Sequence, residues 1–479
     1  GVSVDLDAMD CAALPATTCL VPDGLDPQEL VDALHGLRSC ADLMALEIVE
    51  YVPERDRCNS GAQWVVELAA AALGPTTAQL RQREDTFGAR NYAPLPVVFT
   101  RGEGIWLWDV EGRRYLDMMS AYSAVSFGHS HPRLVRALTE QASRLALTSR
   151  AYSNDRLPLM LERLSALLGY DRALPVNTGV EAVETAIKAA RKWAYKVKGV
   201  ADGQAQIIVC ANNFHGRSTT IVGFSSEAQY RDGFGPFAPG FCSIAYGDVA
   251  ALEAAITPST AAFLFEPIQG EGGVNPVDAD YMREVRALCD AYDCLLILDE
   301  IQCGMGRTGT FFAHEQFGVK GDIVTLAKGL AGGVPIGAFL TSNKIAKAFH
   351  AGDHGTTFGG NPLACAVAGT AFDLISDPAL LAGVREREGW FRDALANINA
   401  QYHCFSQVRG KGLLLGAVLN DDFKGRSRDF LLASIDQGLM ALVAGTNVVR
   451  FAPSLVIPEA DIKEGLARFE KAVAQVVNA

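Results

Sequence analysis

The stretch Asp322-Ile-Val-Thr-Leu-Ala-Lys328-Gly-Leu330 decides how this chain is read. A short apolar run ends in a lysine, and Gly329, Gly332 and Gly333 follow at once. Such a run reads as a buried strand. A lysine closing it is costly to charge, because burial disfavours the ammonium form and lowers its pKa. A lone lysine at a strand end is ordinarily a surface residue. A second run changes that reading. Twenty-nine residues upstream, Cys294-Leu-Leu-Ile-Leu-Asp299-Glu300 ends another buried strand in a carboxylate. Pyridoxal phosphate requires an aspartate that keeps its pyridine nitrogen protonated and a neutral lysine that bonds its aldehyde carbon as a Schiff base.

The surrounding pattern predicts where these groups sit. From about 133 to 330, helical and strand-like patterns alternate. Glu181–Lys198 carries an apolar helical face, and strand runs fall at Gln206–Cys210, Ala262–Glu266, Leu295–Asp299 and Ile323–Ala327. This is the α/β signature of a mainly parallel sheet, whose ligands bind beyond the carboxyl ends of the strands. Before it, residues 97–117 read as a meander with glycine turns. After about 366 the pattern becomes helix-rich, with strands at Val408–Leu419 and from Asn447 and a closing helix over Glu459–Val477. The expected domains are 1–77, a linker and entry segment over 78–120, a large domain over 121–365 and a small α+β domain over 366–479.

Composition narrows the function. Of 479 residues, 49% are hydrophobic and 20% charged, which fits a large packed core. A net charge of −13 argues against nucleic acid or an anionic membrane as partner. Eleven cysteines without a CxxC spacing suit a reducing, cytoplasmic compartment. No apolar run is long enough to span a bilayer. The chain opens on Gly1, already within a strand pattern, so we expect residues to precede it, and with them any targeting segment.

Several short motifs carry chemistry. Asn177-Thr178-Gly179-Val180-Glu181 opens a helix with a capping threonine and room for an anion at its N-terminus. Asn213-Phe214-His-Gly-Arg217 follows a strand, and Phe214 could stack on a flat ring or simply fill core. Glu266-Pro-Ile-Gln-Gly-Glu271 is a strand end with two carboxylates, Gln302 lies three residues beyond Asp299, and Thr356-Thr357 opens a small-residue loop. His129 and His131 share a turn with no carboxylate nearby in sequence, so a turn is favoured over a metal site.

In this order and spacing the motifs resemble the class III pyridoxal-phosphate aminotransferases of fold type I, over about residues 83–479. The resemblance implies pyridoxal 5'-phosphate as cofactor, Lys328 as the Schiff-base and proton-shuttling lysine, and Asp299 on the pyridine nitrogen. It implies that Gln302 contacts the ring hydroxyl side, that Phe214 stacks on the ring, and that Thr178, Gly179 and Val180 bind the phosphate. Thr357 would reach the phosphate of a neighbouring subunit, making a homodimer or larger homo-oligomer. Within the family the resemblance is closest to the ornithine aminotransferases. It then implies ornithine and 2-oxoglutarate as substrates, Tyr92 and Tyr122 as substrate-orienting tyrosines, Arg217 and Arg450 as carboxylate-binding arginines and Glu271 as a gate on Arg450. Acetylornithine, 4-aminobutyrate or lysine transamination are the alternatives. Ser126-Phe127 departs from the more polar pair expected there.

Residues 1–77 read as a separate β-α-β-α unit. On spacing alone, Asp5-Leu-Asp7-Ala-Met-Asp10 is a capped strand–loop junction rather than a metal site. The stretch resembles the C-terminal part of the arginase–agmatinase family, in which Asp5 and Asp7 match a metal-binding pair and Glu50, in Glu47-Ile-Val-Glu50-Tyr-Val-Pro53, matches a functional glutamate. A metal-dependent ureohydrolase half is therefore a second functional reading, and a fusion of hydrolase and aminotransferase is expected. The family's other ligands have no counterpart here, and a binuclear site needs ligands on both ions. This chain should release no urea from arginine with manganese added; measurable urea would contradict that.

Overall fold

The computed structural model describes residues 2–10, 17, 24–40, 45–56 and 60–478. They divide into two compact units, one of residues 1–102 and 106–115, the other of 103–105 and 116–479.

In the first unit, strands β1 (Val2–Asp5) and β2 (Leu46–Val49) alternate with helices α1 (Pro27–Cys40) and α2 (Ser60–Leu73). The strands pair in parallel, Val2 opposite Leu46 and Asp5 opposite Val49. Asp26 caps α1 by accepting the Gln28 amide at 2.7 Å, with Pro27 leading the helix. Leu6, Leu34 and Leu68 are fully buried among them. β1 ends sooner than the strand expected through Asp7. Asp5 accepts the Asp7 amide at 3.0 Å and starts a 3-10 turn, which is the capped junction its spacing suggests. Among the described residues no group of three or more His, Cys, Asp or Glu is placed to hold a metal.

The polar stretch read as a linker begins with a helix instead, α3 (Thr77–Phe87). Thr76 and Gln79 form a reciprocal capping box, with Gln79 N on Thr76 Oγ1 at 3.3 Å and Thr76 N on Gln79 Oε1 at 3.0 Å. Local capping decides the conformation although the helix buries none of its side chains. The expected meander follows as β3 (Phe99–Glu103), β4 (Trp106–Asp109) and β5 (Arg114–Asp117).

The second unit is built on a seven-stranded sheet of β6 (Arg172–Val176), β7 (Gln206–Cys210), β8 (Phe241–Ile244), β9 (Thr260–Phe265), β10 (Leu295–Asp299), β11 (Ile323–Leu326) and β12 (Gly337–Thr341). Its spatial order is β6-β12-β11-β10-β9-β7-β8, with only β12 running antiparallel to its neighbours. Helix α4 (Gly179–Trp193) buries Ala182, Ala186, Ala189 and Ala190, side chains small enough for close packing on the sheet. Asp299 stands opposite Thr325 on the neighbouring strand, and Lys328 follows three residues later. Register alone thus brings carboxylate and amine to the same sheet end.

Beyond α5 (Pro378–Tyr402), the strands β13 (Phe405–Lys411), β14 (Leu414–Leu419), β15 (Leu442–Val443) and β16 (Val448–Phe451) form an antiparallel sheet in the order β13-β14-β16-β15. Arg450 lies on β16 opposite Gly416. The closing helix α6 spans Glu459–Val477, as its pattern predicts. Among the described residues no single helix is long and apolar enough to cross a membrane.

Candidate active site

At the carboxyl ends of β10 and β11 the second unit encloses a cavity of about 340 Å³. Its wall includes Thr178, Gly179, Val180, Phe214, Glu271, Asp299, Gln302 and Lys328. Eight of the sequence-predicted residues therefore meet in one place.

Lys328 leaves β11 through a left-handed backbone with φ 44°, unusual for a side-chain-bearing residue. Burial pushes its amine below the ordinary lysine range, Arg450 acts in the same direction, and Glu271 opposes both. This is the environment that keeps an amine neutral and nucleophilic.

Asp299 is held on every side. Its Oδ1 accepts the Ile301 amide and the Thr325 hydroxyl, both at 3.1 Å, and its Oδ2 lies 2.6 Å from His215 Nδ1. Burial disfavours the charged imidazole, but the Asp299 carboxylate outweighs it and the His215 pKa is raised. Glu266, also buried, accepts the Phe214 amide at 3.0 Å. Burial and the nearby Asp299 push its carboxyl up to about 7, with His215 opposing. The roles of His215, Thr325 and Glu266 were not assigned from sequence, although His215 adjoins Phe214 and Glu266 ends a strand.

Helix α4 turns its N-terminus to the cavity. Thr178 Oγ1 accepts the Glu181 amide at 3.3 Å, and Asn177 is fixed by Glu181 and by Thr356 Oγ1. First-turn amides have no partner within the helix and favour an anion. A Cβ at Gly179 would meet the Ile301 side chain at 2.9 Å and push it aside, so glycine keeps this approach open.

Arg450 and Glu271 form a two-pronged pair, with Nη1 to Oε1 at 2.7 Å and Nη2 to Oε2 at 3.2 Å. Gln302 joins both: its Nε2 donates to Glu271 at 3.2 Å and its Oε1 accepts from Arg450 at 3.2 Å. Arg450 is 1% exposed, and its guanidinium lies 5.7 Å from the centre of the Tyr122 ring. Burial would raise the Glu271 pKa, but Arg450 outweighs it and holds the carboxyl below its usual range.

Other predicted residues lie elsewhere. Arg217 is exposed and stacks on Tyr230, 3.4 Å from the ring centre. Thr357 is exposed and outside the cavity wall. Tyr92 belongs to the first unit and is 79% exposed. His129 has a carboxylate partner that its sequence neighbourhood does not show: its Nε2 sits 2.7 Å from Asp117, distant in sequence but near in space. Ser126 and Phe127 are both buried, and Ser126 is tied to the segment after β16, its carbonyl accepting the Ser454 hydroxyl at 3.0 Å.

Residues 87–473 match the family described as aminotransferase class-III, and residues 1–74 match the arginase family. The chain is 47% identical to an ornithine aminotransferase of Bordetella pertussis over 84% of its length and 97% of that protein. It is also 47% identical to an acetylornithine aminotransferase of Shewanella oneidensis, over 83% of this chain and 98% of that one. Among solved structures, the ornithine aminotransferase of Toxoplasma gondii superposes with a TM-score of 0.81 at 38% identity, covering 84% of this chain and 96% of that chain.

The chain belongs to the class-III aminotransferases. It is a pyridoxal-phosphate enzyme of fold type I that acts on small molecules, and an arginase-like stretch precedes it. The cavity fits this cofactor: a neutral-biased lysine, a fixed carboxylate, an aromatic face and an anion-favouring helix end converge on it.

Ionising the buried Glu266 costs stability, because its pKa is raised from the ordinary 4.5 to about 7. The protonated form is favoured in the folded state, so stability is fully present below about 4.5 and falls as pH rises towards 7. Glu266→Gln should remove that fall, and denaturant unfolding from pH 5 to 8 should show the variant gaining on the parent through this window. Parallel pH profiles would contradict the assignment.

Proposed function

We propose that this chain is an ornithine δ-aminotransferase, moving the terminal amine of L-ornithine to 2-oxoglutarate. The products are glutamate and glutamate 5-semialdehyde, which cyclises to pyrroline-5-carboxylate. The observation that carries the reading is that Glu271, in the cavity wall, pairs with Arg450 behind it. An enzyme that takes a diamino acid and a dicarboxylate in turn must present different charge to each. A carboxylate that covers the arginine favours the amine end of one substrate, and uncovering the arginine admits the second carboxylate of the other.

Pyridoxal phosphate, when bound, supplies the electron sink and the amine carrier. Lys328 would hold it through Nζ and, once displaced from it by the substrate's amine, would be free as a neutral amine to take the proton from the substrate's δ-carbon. Asp299, backed by His215 and Thr325, would hold the ring nitrogen, Phe214 would cover a ring face, and Gln302 would contact the ring hydroxyl side. Thr178, Gly179 and Val180 would hold the phosphate, and Thr357, exposed on its own chain, would serve the site of a second copy in a homodimer. Arg217, leaving Tyr230, takes the ornithine carboxylate beside Tyr122; the part expected of Tyr92 rests on resemblance. The arginase-like stretch supports a fusion, since a hydrolase acting on arginine would supply ornithine.

N-acetylornithine is the competing donor, favoured by the acetylornithine aminotransferase at equal identity. The ratio of kcat/KM for ornithine over N-acetylornithine separates the two; ornithine should win, and a reversed ratio would overturn the proposal. Lys328→Ala should fold yet lose turnover by orders of magnitude, and multiple turnovers by the purified variant would remove Lys328 from its role. Glu271→Ala should slow the ornithine half-reaction roughly ten- to a hundred-fold, one charged hydrogen-bonded contact, while the glutamate half-reaction persists. Equal losses in stopped-flow traces of both halves would leave Glu271 merely structural.

A further inference from the structure

Arg307 is 1% exposed, and among the described residues its hydrogen bonds go to two carbonyls and a hydroxyl, none to a carboxylate. A guanidinium in that position is expensive, since burial works against its charge, yet arginine stays protonated in proteins. Its fork spends that charge on three separate segments. Nη1 donates to the Leu413 carbonyl at 3.1 Å and to the Pro453 carbonyl, and Nη2 reaches the Ser126 hydroxyl at 3.5 Å. The Leu413 amide returns a bond to the Arg307 carbonyl at 2.9 Å, locking the residue from both sides.

Each segment leads to the cavity. Leu413 precedes β14, on which Gly416 pairs with Arg450. Pro453 is three residues after Arg450, and Ser126 is four after Tyr122. The two latter segments are also stitched together directly. Met118 O accepts the Ala452 amide at 2.8 Å, and Ser126 O accepts the Leu455 amide at 2.8 Å and the Ser454 hydroxyl at 3.0 Å. Tyr122 itself sits in a run of left-handed residues, Ser120 to Ser123 with φ from 44° to 72°, a strained turn that needs outside support. The end of this turn and the residues after it pack near Lys328, for a Cβ on Gly329 would lie 3.6 Å from Ser123 O and 2.8 Å from Ser126 Oγ.

We propose that Arg307 is a positioning residue for substrate selection, fixing Arg450 against Tyr122 so that the cavity holds a second carboxylate at one set distance. The inference rests on the reading of Arg450 as the carboxylate-binding arginine. A lysine at this position would keep the charge but present a single ammonium in place of a planar fork matched to three acceptors.

The test uses the cofactor-loaded enzyme and two probes, followed through the absorbance of the bound cofactor. Glutarate is a dicarboxylate without an amine, and 1,4-diaminobutane is a diamine without a carboxylate. Arg307→Lys should weaken glutarate binding about ten-fold or more while the half-reaction with the diamine stays within about two-fold, since only glutarate needs Arg450 in place. Equal losses with both probes would make Arg307 a general structural residue, and no change with either would remove it from selection; both overturn the inference. Should Arg307→Lys fail to fold, Ser454→Ala decides by the same pair of probes: a loss of glutarate binding alone supports the inference, and any other pattern overturns it. A parent enzyme that binds no glutarate would refute the Arg450 reading and this inference with it. Preference for a donor other than ornithine, with glutarate binding intact, would refute only the proposed function.

Discussion

A buried guanidinium needs acceptors for its charge, and Arg450 finds them chiefly in the carboxylate of Glu271. Taking an arginine out of water costs several kcal/mol unless its hydrogen bonds are satisfied. Two carboxylate oxygens and the Gln302 carbonyl take up its two Nη groups, while its buried Nε has no hydrogen-bond partner among the described residues. The pair cannot be broken without a replacement, and the natural replacement is a carboxylate carried by substrate. On the proposed function, selection between unlike substrates would follow from the need to keep one cation paired. The geometry around it is correspondingly tight: a Cβ on Gly270 would fall 1.3 Å from Gln302 Oε1, so the loop carrying Glu271 needs glycine there.

The reactive end of the cavity is organised by the opposite problem, an excess of buried acid. Asp299 and Glu266 lie close to His215, and the two carboxyls are hydrogen-bonded differently. Asp299 receives three hydrogen bonds, counting His215, whereas Glu266 receives one amide among those described and is driven towards the protonated form. Lys328 sits between this acidic end and the Glu271–Arg450 pair, where burial weakens its hold on a proton. Fold and chemistry meet in register: Asp299 opposite Thr325 fixes both strand ends, and Lys328 follows within one turn of chain.

Much of this is legible in the sequence because strand ends and helix starts leave local marks. Apolar runs closing in Asp299 and Lys328, and Thr178 before a helical face, need no knowledge of distant residues. Strand β12 and the edge strands β6 and β8 were not anticipated. Pro175 interrupts the pattern of β6, and β12 owes its reversed direction to its neighbours rather than to its own residues. His215 and Thr325 gain their role only when β7, β9, β10 and β11 are assembled in the sheet. His129 shows the same limit, since its carboxylate partner Asp117 comes from another element. Helix α3 marks the opposite case: its capping box is local and readable in the sequence, while its polar composition offers no apolar face to signal a helix.

The account stands or falls on Arg450 changing partners. A crystal structure of the cofactor-loaded enzyme with glutarate tests this most directly. The account predicts that Arg450 leaves Glu271 and forms its two-pronged contact with a carboxylate of the ligand. Glutarate bound elsewhere in the cavity, with Arg450 still paired to Glu271 as in the chain alone, would contradict it.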